Sequence, residues 1–178
     1  MPQPTAREST LKRMTRTFPD LLQEVHDAHY ASLFRYFDRL SGDPDLAADI
    51  VQEAFVRLYR RGSLPDMPDR WLVTVALNLF RNERAMARRR KVLRLERGGE
   101  LAPARHPSPA DRAVAAERRS EIRAALDRLS PRERELLLLR AEGYSYRDLA
   151  EILDLNEASV GTLLARAKRA FQATWEGE

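Results

Sequence analysis

Between Pro19 and Leu40, apolar and aromatic side chains return at helical spacing: Leu22, Val25, His29, Leu33, Tyr36, Phe37 and Leu40. Steps of three and four residues put them on one face of a helix. "SGDPD" (Ser41–Asp45) ends this helix and offers Asp43 as the next N-cap, with Pro44 at the first helical position. The second helix is predicted to run to about Arg61. Ala47, Val51, Ala54, Phe55 and Leu58 share its one side, and Asp49, Gln52, Glu53, Val56 and Arg60 the other. After the loop "GSLPDMPD" (Gly62–Asp69), a third helix is predicted to start behind a cap at Asp69 and to reach the arginines near Arg90. Its projected buried stripe is Leu72, Val75, Leu79 and Met86. Arg70, Val73, Thr74, Leu77, Phe80, Arg81 and Arg84 fall opposite, with Trp71 and Asn78 at the boundary.

The pattern then breaks. Gly98–Ala113 holds five Gly or Pro in 16 residues and reads as an extended linker. About four more helices are predicted beyond it. "SPRE" (Ser130–Glu133) is a capping box with proline first in the helix, and Gly143 suits that helix's C-terminal stop. "SYRD" (Ser145–Asp148) opens the next helix in the same way. No segment shows a strand's alternation, so the expected fold class is all-α: two small helical domains joined by a flexible linker. The expected boundaries are a disordered lead-in over 1–17, a domain over 18–97, a linker over 98–114 and a second domain over 115–178.

"SYRDLAEILDLNEASVGTLLARA" has the spacing of a helix-turn-helix. Leu149 and Leu153 belong to the core, Ala150 is small where helices cross, and Asp154 stands where the turn needs positive φ. Asn156 is placed to cap the second helix, with Leu155 stapled against Val160. Val160, Leu163, Leu164, Ala167 and Phe171 form its apolar stripe. The outward face carries Ala158, Thr162, Ala165 and Arg169, flanked by Gly161 and Arg166, and few of these reach base edges with two hydrogen bonds. Arg166, Lys168 and Arg169, late in the helix, suit phosphates. A plain pair of core helices would show part of the same pattern.

Charge adds an arrangement. The net charge is +4, yet residues 1–80 hold 10 basic and 11 acidic residues, 81–119 hold 12 and 5, and 120–178 hold 9 and 11. The basic excess sits mid-chain, as in a nucleic-acid binder or in a solvated linker. The acidic and apolar outer face of the second helix suits either solvent or a basic partner surface. The aromatic, amide and arginine groups of the third suit unstacked single-stranded bases, or else packing on another helix. With no cysteine and only three histidines, disulfides and thiolate sites are excluded, and His26 with His29 lacks a third metal ligand. No cofactor is expected, and no nucleophile–base pair or phosphate loop marks an enzyme. Neither a membrane span nor a secretion signal is visible, so a cytoplasmic protein is expected.

Together these segments resemble bacterial RNA polymerase sigma factors of the sigma-70 family, and the extracytoplasmic-function (ECF) branch above all. "LAADIVQEAFVRLYR" (Leu46–Arg60) is similar to the region 2 helix that grips the polymerase clamp. "RWLVTVALNLFRNERAMARR" (Arg70–Arg89) is similar to the part that melts and holds the −10 element, with Trp71, Ala76 and Asn78 matching its "WL…A.N" motif. Ala125–Phe171 looks like region 4, the reader of the −35 element. The resemblance implies a core-polymerase surface of Asp49, Gln52, Glu53, Val56 and Arg60. It implies a −10 single-strand surface of Arg70, Trp71, Thr74, Asn78, Arg81, Arg84 and Arg88. It implies a −35 surface of Tyr146, Arg147, Glu157, Ala158, Ser159, Gly161, Thr162, Ala165, Arg166, Lys168 and Arg169.

The partners implied are core RNA polymerase (the β′ clamp helices and the β flap), promoter DNA and an anti-sigma factor, with no stable homo-oligomer. Departures from the family pattern are Ala48, Asn82, Asp154, Gly161 and Leu163, and the last two thin out base reading by the recognition helix. Two other readings stay open: a helix-turn-helix regulator that does not bind polymerase, and a sigma-like interaction protein that no longer reads promoters.

Overall fold

The computed structural model describes residues 16–96 and 113–175. Nearly all of the expected lead-in and linker lies outside them. Among the described residues there are helices α1 (Phe18–Ser41), α2 (Pro44–Arg61), α3 (Pro68–Glu96), α4 (Ala113–Asp127), α5 (Pro131–Ala141), α6 (Tyr146–Leu153) and α7 (Glu157–Trp175), and no strand. The all-α reading holds. Helices α1–α3 pack as one bundle; α4–α7 pack as another around α7.

Local chemistry sets the boundaries. Asp43 accepts from the amides of Asp45 and Leu46, both at 3.1 Å, and starts α2 as expected. Ser130 and Glu133 form the predicted capping box of α5, as Ser145 and Asp148 do for α6. Past α5, Gly143 turns at φ +101°, a region closed to most side chains. Its amide and that of Tyr144 return to the carbonyls of Arg140 (3.2 Å) and Leu139 (3.3 Å), which satisfies two orphan acceptors of the helix end. Helix α3 starts earlier than the sequence suggested. The Trp71 amide bonds the Met67 carbonyl at 3.0 Å, so Asp69 lies inside the first turn and is not the cap.

The cores follow the apolar stripes, with one correction. Leu33, Tyr36, Phe37 and Leu40 of α1 meet Ala47, Val51, Ala54, Phe55 and Leu58 of α2, all of them buried. Full burial of a Leu or Phe side chain is worth about 1.5–3 kcal/mol, so this stripe holds α2 in place. On α3 the stripe is rotated from the expected one. Leu72, Val73, Ala76, Leu77 and Phe80 are buried, Val75 and Leu79 are half-buried, and Met86 is 45% exposed. Phe80 packs on Phe37, with ring centroids 6.3 Å apart. Val73, Leu77 and Phe80 therefore serve the core and do not form part of an outward base-stacking face.

In the second bundle, Leu149, Leu153, Val160, Leu164 and Ala167 are buried, with Leu155, Leu163 and Phe171 packed against them. Asp154 takes φ +52°, as the turn requires, and the Asn156 side chain accepts from the Ala158 amide at 3.0 Å. The two bundles touch: α1 packs on α5 and α3 on α6.

Candidate nucleic-acid interface

On α2 the stripe that buries Ala47 to Leu58 leaves the opposite face to solvent. Asp49, Gln52 and Arg60 are exposed there, beside half-buried Glu53 and Val56. Glu53 accepts from Arg57 Nε at 3.0 Å across one helical turn. Next to this face, His26, Tyr30, Gln52, Phe55, Val56 and Tyr59 line a shallow aromatic groove. The His26 ring stands 4.9 Å from Phe55 and 5.0 Å from Tyr30, and Tyr59 is 62% exposed. The sequence reading missed this groove. Its signal was the spacing of Phe55 and Tyr59, four residues apart along the edge where the core stripe meets the outer face of Gln52 and Val56.

Helix α3 divides the expected −10 residues. Trp71 is half-buried, with the Arg61 guanidinium 5.9 Å from its ring, and Asn78 is exposed two turns on. The Thr74 hydroxyl donates back to the Arg70 carbonyl at 2.8 Å. Arg84 lies 5.5 Å over the Phe80 ring, and Arg88 is exposed. Arg70 and Arg81 do not face open solvent. Arg70 pairs with Asp148 (2.5 Å) and Glu151 (2.6 Å) of α6. Arg81 forks onto Glu135 of α5, Nε to Oε1 at 3.1 Å and Nη2 to Oε2 at 2.6 Å. Hydrogen bonds from Arg70 and Arg147 hold the Glu151 carboxyl below its ordinary range. Burial pushes Asp148 up, but the Ser145 cap and Arg70 outweigh it and leave the carboxyl lowered.

On α7, Glu157, Ala158, Ser159, Thr162, Ala165, Arg166, Lys168 and Arg169 are all exposed. Arg166 Nε donates to Glu133 at 3.1 Å, and Arg169 Nε leans on the Ala165 carbonyl at 3.4 Å. Tyr146, at the start of α6, covers Gly161, and Arg140 sits 5.9 Å over the tyrosine ring. Arg147 donates to Glu151 at 3.1 Å. The outward surface is thus small side chains first, then cations. It favours close backbone approach and phosphate contact over hydrogen-bonded base reading.

A Cβ at Gly161 would meet Tyr146 Cε2 at 3.5 Å, an ordinary contact. Gly161→Ala is therefore expected to raise stability by about 0.5–1 kcal/mol through backbone entropy alone. Chemical denaturation checks this, and a loss of stability would mean that the tyrosine cannot accommodate the methyl.

Comparison with known proteins identifies the family. The Sigma-70 region 2 family matches residues 25–90, and the Sigma-70, region 4 family matches residues 119–171. The chain is 34% identical over 161 residues to the ECF RNA polymerase sigma factor SigL of Mycobacterium tuberculosis, covering 86% of this chain and 88% of that one. It is 36% identical over 158 residues to the ECF RNA polymerase sigma factor EcfG of Rhodopseudomonas palustris, covering 85% and 81%. The fold is that of the sigma factor RpoE from Bartonella quintana, solved in complex with the anti-sigma factor NepR: TM-score 0.62, 24% identity, 89% of this chain and 96% of that one. The chain belongs to the ECF RNA polymerase sigma factors of the sigma-70 family, proteins that direct RNA polymerase in promoter recognition and transcription initiation.

Proposed function

We propose that this sigma factor docks on the core-polymerase clamp through the outer face of α2, holds the opened −10 strand on α3 and lays α7 in the major groove at −35. The α2 face carries the proposal. Asp49, Gln52, Glu53, Val56 and Arg60 form one acidic and apolar surface directly opposite a fully committed core stripe. Such a surface complements a basic, partly apolar partner. Trp71 and Asn78 then receive unpaired bases, with Arg84 and Arg88 on the backbone. Arg166, Lys168 and Arg169 hold phosphates at −35, and the small residues ahead of them let DNA shape contribute to selection. The protein does no chemistry itself; it positions the enzyme. An anti-sigma factor is a further partner in this reading, and the site of action is the cytoplasm. Among the described residues no helix is long and apolar enough to cross a membrane.

The test is reconstitution. Purified protein added to core polymerase is expected to give a run-off transcript from the promoter of its own operon, with none from core alone. The absence of both a transcript and core binding would reject the reading. Core binding without any transcript would favour a sigma-like interaction protein that no longer reads promoters, a possibility that the sparse outward face of α7 keeps specific.

A further inference from the structure

We propose that a cavity between α3 and α5 binds the terminal phosphate or diphosphate of a small anionic ligand. The cavity measures about 160 Å³, and among the described residues four guanidiniums line it: Arg81, Arg84 and Arg88 from α3 and Arg134 from α5. Arg84 and Arg88 stand one helical turn apart on the same face. Glu135 also lines the cavity, and the Arg81 fork takes up its carboxylate. Among the described residues neither Arg84 nor Arg88 has an acidic partner; Arg84 rests over the Phe80 ring instead.

Arg134 is the deepest of these cations. It is only 7% exposed, and its Nη1 reaches Asp127 at 2.7 Å, while its buried Nε has no hydrogen-bond partner among the described residues. Burial holds this guanidinium below its ordinary range; Asp127 works against that shift, and Arg123 and Arg84 add to it. A buried N–H without an acceptor is costly, and so is a surplus of neighbouring positive charge. An anion oxygen in the cavity relieves both.

The lining selects phosphate among anions. Each guanidinium is a planar fork that matches two phosphate oxygens at once. Pro131 lines the same cavity and sets the first turn of α5 beside it, which adds the positive end of a helix dipole. Leu40, Phe80 and Glu135 are each at most 5% exposed and make the floor. Two of these three are apolar, and a low local dielectric strengthens the pairing of charges above them. A recess with a buried floor suits a phosphate at the end of a ligand, not a phosphodiester with sugars on both sides. Its volume is below the about 300–1,000 Å³ of ordinary ligand pockets, so the rest of the ligand would lie outside.

Arg84 and Arg88 are assigned above to the backbone of the −10 strand, so a bound anion would compete with that strand. This consequence rests on that assignment; the site does not. Promoter engagement would then fall as the concentration of the phosphorylated ligand rises.

The probe is pyrophosphate, titrated into the full chain by isothermal calorimetry without divalent metal, at an ionic strength fixed with potassium chloride. Saturable one-to-one binding in the micromolar range is expected. Arg84→Gln with Arg88→Gln should weaken it at least about tenfold. Arg89→Gln with Arg90→Gln makes the same change in charge on exposed neighbours outside the cavity and should stay within about twofold. Arg134→Lys keeps the charge, removes the Nε donor and should weaken binding about fivefold. Far-UV circular dichroism checks that each variant is folded, and the two exposed pairs decide the matter if the buried Arg134 does not tolerate change. No saturable heat up to about 1 mM pyrophosphate would overturn the proposal. Equal weakening by both pairs would reduce the effect to bulk charge and overturn it too.

A second arm adds a fluorescein-labelled oligothymidine strand, which binds without sequence preference. Pyrophosphate is expected to displace the strand from the parent with the affinity found by calorimetry. Strand binding that depends on Arg84 and Arg88, with no pyrophosphate binding, would give the cavity to a strand phosphate and overturn the small-ligand site. Pyrophosphate binding without displacement would support the site and reject the assignment of the two arginines to the strand.

Discussion

Phe37→Ala is expected to cost about 3–5 kcal/mol of folding free energy, the range for emptying a buried phenylalanine site. Phe37 has no exposed surface. It meets Tyr36 edge-on at 4.8 Å and Phe80 at 6.3 Å, so it joins α1 to α3 in the middle of the first bundle. Helices on both sides are fixed by many other buried residues and cannot collapse into the void. Set against a total of about 5–15 kcal/mol for a typical protein, the loss would leave the bundle marginal. A urea titration followed by circular dichroism should show the midpoint fall with its slope unchanged. A shift worth less than about 1 kcal/mol would mean that the site refills, contrary to the packing described. Promoter binding should weaken in parallel, because Phe80 is both the neighbour of Phe37 and the ring beneath Arg84.

The same neighbourhood shows where sequence patterning succeeds and where it stops. On α2 a single helix face is apolar, and every residue assigned to it, Ala47 through Leu58, is buried. The helix-turn-helix was equally legible, since caps, the positive-φ turn at Asp154 and the stripe from Val160 to Ala167 all specify one geometry. Helix α3 was not. Its first half is apolar almost all round, and it packs on α1, α2 and α6 from different sides. A one-stripe projection cannot choose among several buried faces, and including Met86 turned the stripe towards solvent.

The contact between bundles was beyond reach for another reason. Glu135 and Arg134 in "PRERE" look like a solvated helix face, yet both are buried. Arg134 pairs with Asp127 at 2.7 Å, and the partner of Glu135 lies 54 residues away across the linker. Ion pairs between separate bundles leave no periodicity in either helix. Only the sidedness of the charges, seen once both surfaces are assembled, reveals them.

The double variant Asp49→Lys, Glu53→Lys is expected to weaken binding to core polymerase by about 2–4 kcal/mol, or thirty- to a thousand-fold, because like charges set against a basic partner surface cost several kcal/mol. The fold should barely register the change. Asp49 is exposed and Glu53 half-buried, and among the described residues the ion pair given up is Glu53 with Arg57, a surface pair one turn apart worth about 0.3–0.5 kcal/mol. That separation of magnitudes makes the test specific: thermal unfolding should move little while affinity falls steeply. Binding is measured by fluorescence anisotropy of labelled sigma factor against core polymerase at fixed salt, and the deficit should persist as salt rises if the acidic groups are desolvated in the complex. Affinity within about twofold of the parent would remove the α2 face from the polymerase contact. The adjoining aromatic groove of Tyr30, Phe55 and Tyr59 would then be the next surface to test in that role.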